Sequence, residues 1–270
     1  MTVNLPPTSL LIATQRAWLI CFLSLLLAGC NHEPSQNPNL HELADLGDRV
    51  AQFELGLVYA NAIEVDLDYE KAAFYYKKSA EQGYARAQYN LGLFYSEGKG
   101  VETDAVQAFA LFEKAAVQGL PVAQFTLGVI FKEGYGRSKD IEKAIKWTLM
   151  AAQQGYLDAQ YNLAVWYGSG DGVEIDQEKA FGWYLKSAMQ GHESARIIVG
   201  GRLLSGSGTP ADEMRGYAWL LSSENEMAKA MREAAREHMS HGDIKKAESL
   251  AALCAKTNYQ GCGIEIESTI

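Results

Sequence analysis

A motif that recurs every 36 residues constrains this chain more than any other feature of its sequence. The stretch YGSGDGVEIDQEKA begins at Tyr167, and related stretches begin at the same spacing on both sides of it. They are YANAIEVDLDYEKA from Tyr59, YSEGKGVETDAVQA from Tyr95, FKEGYGRSKDIEKA from Phe131 and LLSGSGTPADEMRG from Leu203. A constant period without insertions predicts stacked copies of one supersecondary unit, as in solenoid proteins.

Each copy is expected to contain two helices. Ala87, Leu91 and Tyr95 follow the i, i+4, i+8 spacing of a first helix, in which Gly92 allows a neighbouring helix to approach closely. The second helix is expected to begin after an aspartate N-cap and to end at a Gln-Gly pair, where glycine adopts the left-handed conformation. The aspartates are Asp68, Asp104, Asp140, Asp176 and Asp212, and the glycines are Gly83, Gly119, Gly155 and Gly191.

The loop between the two helices contains residue types that bind phosphates or hard cations. Gly168, Gly170 and Gly172 are interleaved with acids that include Asp171 and Asp176. A phosphate loop would also need a preceding strand and a GK[ST] sequence, and a calcium loop needs acids at alternate positions with a closing glutamate. Because neither pattern is present, the loop is interpreted as a helix connection.

Residues at the same position of successive copies form a column. These columns resemble the Sel1-like repeat family, which is related to tetratricopeptide repeats. The family pattern is A-Q-x-x-L-G-x-x-Y, then G-x-G-V, then D-x-x-K-A-x-x-W-Y-x-K-A-A-x-Q-G. The matching residues of one copy include Ala159, Gln160, Leu163, Tyr167, Gly170, Gly172, Val173, Asp176, Lys179, Ala180, Trp183, Tyr184, Lys186, Ala188, Gln190 and Gly191. The resemblance implies an all-α fold: an α/α superhelical solenoid of about five 36-residue helix-turn-helix repeats over residues 40–223, with a helical cap over residues 224–270. Residues 61–65 depart from the pattern because they lack the glycine turn, and Ala164 replaces a glycine.

The amino-terminal segment is predicted to be an export signal. Arg16 precedes an apolar run from Ala17 to Leu27, too short to span a bilayer. The sequence LAGC, which ends at Cys30, resembles the lipobox of bacterial lipoproteins, and this implies removal of residues 1–29, lipidation of Cys30 and a tether over residues 30–39. An ordinary secretory signal is the alternative. Asn31 favours the periplasmic face of the outer membrane, because it is not the aspartate that resembles an inner-membrane retention signal.

Export also determines how the remaining cysteines are interpreted. Cys254 and Cys262 would lie in an oxidising compartment, which favours a disulfide, with two free buried thiols as the alternative. The net charge of −9 argues against nucleic acid as a partner.

Two short motifs outside the columns suggest other chemistry. The SEGK sequence from Ser96 to Lys99 matches the S-x-x-K motif of penicillin-recognising enzymes, but neither S-D-N nor K-T-G occurs, and Ser96 is expected in an interhelical loop. His238 and His241 are three residues apart but have no evident third ligand, so no metal or other cofactor is predicted.

Helical-wheel positions on the first helices suggest a binding surface. Residues there vary between copies, as expected where a column contacts a ligand and does not maintain the stack. The candidate partner-binding residues are Arg86, Asn90, Thr126, Asp158, Asn162 and Trp166. Solvated or partly packed side chains without a function are the alternative. Together with the family resemblance, this surface predicts a non-catalytic, lipid-anchored envelope scaffold that binds proteins or peptides. The alternatives are a β-lactamase-type hydrolase and a module that binds peptidoglycan peptides.

Overall fold

The computed structural model describes residues 39–257, together with Tyr259 and Cys262. These residues form thirteen helices and no strand, in two compact units divided between Gln118 and Gly119. The first unit contains α1 (Leu40–Asp45), α2 (Arg49–Ala60), α3 (Tyr69–Glu81), α4 (Ala85–Glu97) and α5 (Ala105–Val117). The second contains α6 (Pro121–Glu133), α7 (Ile141–Gln153), α8 (Leu157–Ser169), α9 (Gln177–Met189), α10 (Glu193–Ser205), α11 (Glu213–Leu220), α12 (Glu226–Arg236) and α13 (His241–Lys256). The predicted all-α solenoid fold of helix pairs is confirmed.

The predicted aspartate N-caps are present at the second helix of every repeat. Asp176, for example, accepts a hydrogen bond from the Lys179 backbone N–H at 2.9 Å, and its other oxygen pairs with the Lys179 ammonium at 2.9 Å. These interactions hold the pKa of Asp176 below its usual range. The same ammonium lies 5.4 Å from the centre of the Tyr167 ring. One Asp-Lys pair therefore begins the second helix and ties it to the end of the first.

The loop glycines adopt the backbone conformation that the sequence predicts. In most repeats the first helix ends at a left-handed glycine, as at Gly98 with φ 69°. The first repeat has no glycine here, yet Ala62 and Glu64 have φ values of 53° and 60°. The repeat geometry therefore imposes the left-handed turn on residues that rarely adopt it.

Small residues let the two helices of a repeat pack closely. A Cβ atom added to Gly92 would lie 2.7 Å from the Phe112 ring, which confirms the predicted close approach. The alanine column of the first helices is fully buried at Ala87, Ala123, Ala159 and Ala195. The closest helix contacts in each unit are thus made at positions that keep a small residue.

Buried glutamines connect successive repeats. The Gln160 side chain accepts a hydrogen bond from Gln190 at 2.7 Å and donates to the Ala152 carbonyl at 3.1 Å. The same side-chain pairing joins Gln52 to Gln82, Gln88 to Gln118 and Gln124 to Gln154. The last repeat has Arg196 in this register, and its Nε donates to the Ala188 carbonyl. Each buried amide is therefore used within the stack.

Two helices, α12 and α13, follow the last repeat and pack against it. Ser240 and Asp243 form a capping box at the start of α13, with the Asp243 N–H donating to Ser240 Oγ at 3.1 Å. The Arg232 guanidinium donates to the Leu220 carbonyl at 2.6 Å and closes the end of α11. The predicted disulfide between Cys254 and Cys262 is present.

Some expectations fall outside the described residues. These are the signal sequence over residues 1–29, lipidation at Cys30 and the tether up to residue 38. Among the helices that the structure does describe, none combines the length and apolar character needed to cross a bilayer.

Candidate functional site

The acids of the loop after α8 are already engaged by lysines. Asp171 Oδ2 lies 2.6 Å from Nζ of Lys132, whose side chain is only 11% exposed. Asp176 caps α9 and pairs with Lys179. The loop therefore links helices, as the sequence analysis proposed, and its two aspartates bind ammonium groups of the chain itself.

The SEGK motif does not bring a serine and a lysine together. Ser96 lies in the last turn of α4 and not in a loop as expected, because the helix continues as far as Glu97. Its Oγ donates to the Leu93 carbonyl at 2.8 Å. The Lys99 ammonium pairs with Glu97 at 2.6 Å and lies over the Tyr69 ring. A serine nucleophile would need a base within hydrogen-bonding distance, whereas this lysine is directed elsewhere.

His238 and His241 lie on either side of the start of α13. Across the described residues, no three histidine, cysteine or acidic side chains are grouped so that they could hold a metal ion.

In the first unit, the candidate partner-binding residues Arg86 and Asn90 lie on α4. Arg86 is exposed. Burial of Glu54 on α2 raises the pKa of that carboxyl, and the positive charge of Arg86 opposes this shift. Asn90 is half-buried and is hydrogen-bonded to the phenol of Tyr76, whose pKa is raised mainly by burial. Arg86 is therefore accessible, whereas the Asn90 side chain is used within the unit.

In the second unit, the remaining four candidates differ sharply in exposure. Thr126 on α6 is 4% exposed, and its hydroxyl donates to the Val122 carbonyl at 2.9 Å. Trp166 is 7% exposed. Asp158 and Asn162 are half-buried, lie one turn apart on the same side of α8, and make no ion pair or side-chain hydrogen bond with a described residue. The structure therefore leaves two of the four polar or aromatic candidates open to a partner.

Lys132 is a neighbour of this surface that the sequence analysis did not identify. Its ammonium lies 5.8 Å from the centre of the Trp166 ring and pairs with Asp171. The signal in the sequence was a lysine in the stretch VIFKE, where the other copies have the uncharged residues Ala60, Ser96, Gly168 and Leu204. Lys132 holds Trp166 in place and is not available as a free cation.

Comparisons with known proteins identify the repeat. The Sel1 repeat model matches residues 49–84, 85–120, 121–156, 157–192 and 195–224. The crystal structure of a Sel1 repeat protein from Oxalobacter formigenes is 33% identical with a TM-score of 0.68, over 72% of this chain and 57% of that one. This chain thus spans little more than half of that relative. A protective antigen of uropathogenic Escherichia coli with an SLR fold is 22% identical with a TM-score of 0.46, over 86% of this chain and 67% of that one. None of the curated proteins matches the chain significantly.

Proposed function

Because the chain belongs to the Sel1 repeat family, whose repeats are protein-interaction modules, we propose that it is a non-catalytic envelope lipoprotein that binds another protein or peptide through its first helices. The proposed contact surface is the side of α8 that carries Asp158 and Asn162, and Arg86 of α4 is a separate candidate contact in the first unit. Fold membership supports binding as the mode of action, whereas the surface is argued from the side chains.

One observation carries the proposal. The polar residues that recur through the repeats are used to build the stack: the aspartates cap helices, and each glutamine pair joins the two helices of one repeat. Asp158 and Asn162 lie in columns that vary between copies, and they make no ion pair or side-chain hydrogen bond within the described part of the chain. Half-buried polar groups without partners lose hydrogen bonds that water or a ligand must restore. They are therefore the strongest candidates for contact with another protein.

The amino-terminal sequence supports the envelope location. The apolar run before Cys30 and the LAGC sequence favour export and lipid attachment. From Cys30 to Asn39 the chain extends at most about 30 Å, at 3.3–3.6 Å for each residue. A lipid on Cys30 would hold the repeats close to the membrane. Replacement of Cys30 by serine should release the protein from the membrane fraction, and persistence there would contradict lipid anchoring.

Crosslinking in cells tests the binding surface. A photoreactive residue at position 162 should capture one dominant protein, which mass spectrometry can identify. The same probe at Leu163, which is 1% exposed on the same helix, is the matched control. Equal crosslinking yields from both positions, or no adduct from position 162, would show that this side of α8 is not the binding surface.

A further inference from the structure

Asn90 and Asn162 hold the same register position in two different repeats, but they have different surroundings. In the first unit, the Tyr76 ring packs against Gly56, and its phenol is hydrogen-bonded to the Asn90 amide. Tyr76 is 1% exposed, so this contact is part of the core. The Asn90 side chain thereby completes the packing of its own unit.

Two repeats later, Thr148 takes the register position of Tyr76. It is fully buried, its hydroxyl lies against Gly128, and this oxygen has no hydrogen-bond partner among the described residues. Threonine is several atoms shorter than tyrosine, so no hydroxyl from α7 reaches Asn162. The position that corresponds to the Tyr76–Asn90 pair therefore holds a buried hydroxyl without a partner and a half-buried Asn162 amide whose hydrogen bonds are left to water or a ligand.

Asp158 places a negative charge one turn before Asn162. In the described part of the chain it forms no ion pair. The titratable group that faces it is His192, whose pKa is lowered by burial, with Asp158 opposing this effect. The nearby Lys132 is paired with Asp171. The Asp158 carboxylate is therefore not neutralised by a neighbouring cation at neutral pH.

Building on the proposed function, we infer that Asp158 and Asn162 recognise an extended segment of a partner protein that carries a lysine or arginine side chain. The carboxylate pairs with the cation, and the Asn162 amide offers an acceptor and donors side by side to a main-chain peptide group. The half-buried Val165, one turn further along α8, contacts the aliphatic part of the cationic side chain. The net charge of −9 disfavours an acidic segment.

A random twelve-residue peptide library displayed on phage, selected against the full chain purified in detergent, tests this inference. We expect enriched peptides to share a lysine or arginine at one fixed position. Asp158→Asn should weaken their binding about tenfold, and Asn162→Ala by a similar factor. Glu133→Gln removes an acid of the same unit outside the proposed contact, so it is the matched control, with an expected change below about twofold. Raising the salt concentration should weaken wild-type binding and have little effect on the Asp158→Asn variant.

The outcomes separate this inference from the proposed function. Enriched peptides without a basic position, no enrichment at all, or affinity unchanged in Asp158→Asn would overturn the inference. Asp158-dependent binding to purified peptidoglycan sacculi, with no peptide enriched from the library, would also overturn it. If a protein is still captured from position 162 in cells, the proposed function survives these results. Loss of protein capture from position 162 would contradict both the inference and the proposed function.

Discussion

Gln160 and Gln190 are joined by a 2.7 Å hydrogen bond between their side chains, although they lie 30 residues apart in the sequence. Gln160 is buried and also donates to the Ala152 carbonyl, whereas Gln190 is exposed. Both glutamines belong to one repeat, so their bond ties the end of α9 to α8, and the bond to Ala152 links α8 to the preceding repeat.

The first prediction concerns this pair. Gln160→Met keeps the side-chain length but leaves the Ala152 carbonyl without its donor in the core. We expect a loss of about 1–3 kcal/mol in the free energy of unfolding, measured with urea. Gln190→Met breaks the same side-chain bond at an exposed position and should cost about 1 kcal/mol or less. Equal costs for the two variants would show that the burial of Gln160 is not what matters.

The second prediction compares two glycines at the same register position. Gly100 and Gly136 have φ values of 64° and 67°, so alanine is strained at both. A Cβ atom on Gly100 would overlap the Tyr69 carbonyl, whereas one on Gly136 would meet nothing within 4 Å. Gly136→Ala should therefore cost about 1 kcal/mol, and Gly100→Ala about 1–3 kcal/mol more. Chemical denaturation of the two variants measures the difference, and similar losses would contradict the overlap.

Much of the fold could be predicted because the residues that recur at one position of successive copies show what the fold requires there. A column that keeps alanine, glycine or an aspartate in all or nearly all copies shows which positions the stack requires, and Ala87, Gly98 and Asp104 behave as predicted. The two glutamine columns were equally visible in the sequence. Their pairing was not, because it depends on how the two helices of a repeat pack against each other.

The candidate site was harder to predict because a helical wheel shows on which side of a helix a residue lies, but not which residues of other helices cover that side. It placed Thr126 and Trp166 on the exposed side, whereas both are buried in the structure. Asn90, Thr126 and Asn162 hold the same register position, yet only Thr126 is buried, so equivalent positions differ in exposure. A lysine from a third element, Lys132, then covers the Trp166 ring.

The third prediction uses the buried hydroxyl of Thr148. Because this hydroxyl has no hydrogen-bond partner among the described residues, Thr148→Val removes an unsatisfied polar group and preserves the shape. We expect the free energy of unfolding to rise by about 1 kcal/mol. Thr126→Val is the matched control: it is also buried, but its hydroxyl donates to Val122, so the change should be neutral or unfavourable. A loss of stability in Thr148→Val would show that its hydroxyl is satisfied in solution, for example by water.

The fourth prediction concerns the loop closed by the disulfide. Tyr259 stacks on Trp219, with ring centres 5.7 Å apart, and the Arg196 guanidinium lies 3.5 Å from the centre of the Tyr259 ring. Reduction of the Cys254–Cys262 bond should lower the free energy of unfolding by about 2–3 kcal/mol, the value expected for closing a short loop. It should also expose the Trp219 indole, so that a soluble quencher lowers its fluorescence more strongly.

A variant separates the two contributions in this loop. Tyr259→Ala keeps the disulfide but removes the ring that covers Trp219, so quenching should increase in the oxidised protein. Quenching that is unchanged in both the reduced protein and the Tyr259→Ala variant would show that other residues cover the indole.

The last prediction is a pH dependence that originates at His192. This residue caps α10, where its Nδ1 accepts a hydrogen bond from the Ala195 N–H at 3.2 Å, and its ring stacks on Tyr161. Burial lowers its pKa, and the charge of Asp158 opposes this shift. Above the ordinary histidine value of about 6.5, the ring is neutral in both the folded and unfolded states, so it contributes no pH dependence.

As the pH falls below about 6.5, the unfolded chain takes up the proton first, and stability is lost until the folded state is also protonated. His192→Asn replaces the acceptor with an amide that caps helices well and does not titrate. Urea unfolding between about pH 8 and pH 5 should therefore show a smaller decrease for this variant than for the wild type. Parallel curves would mean that the proton is taken up elsewhere, whereas convergence of the two curves at high pH and divergence at low pH would assign the effect to the His192 cap.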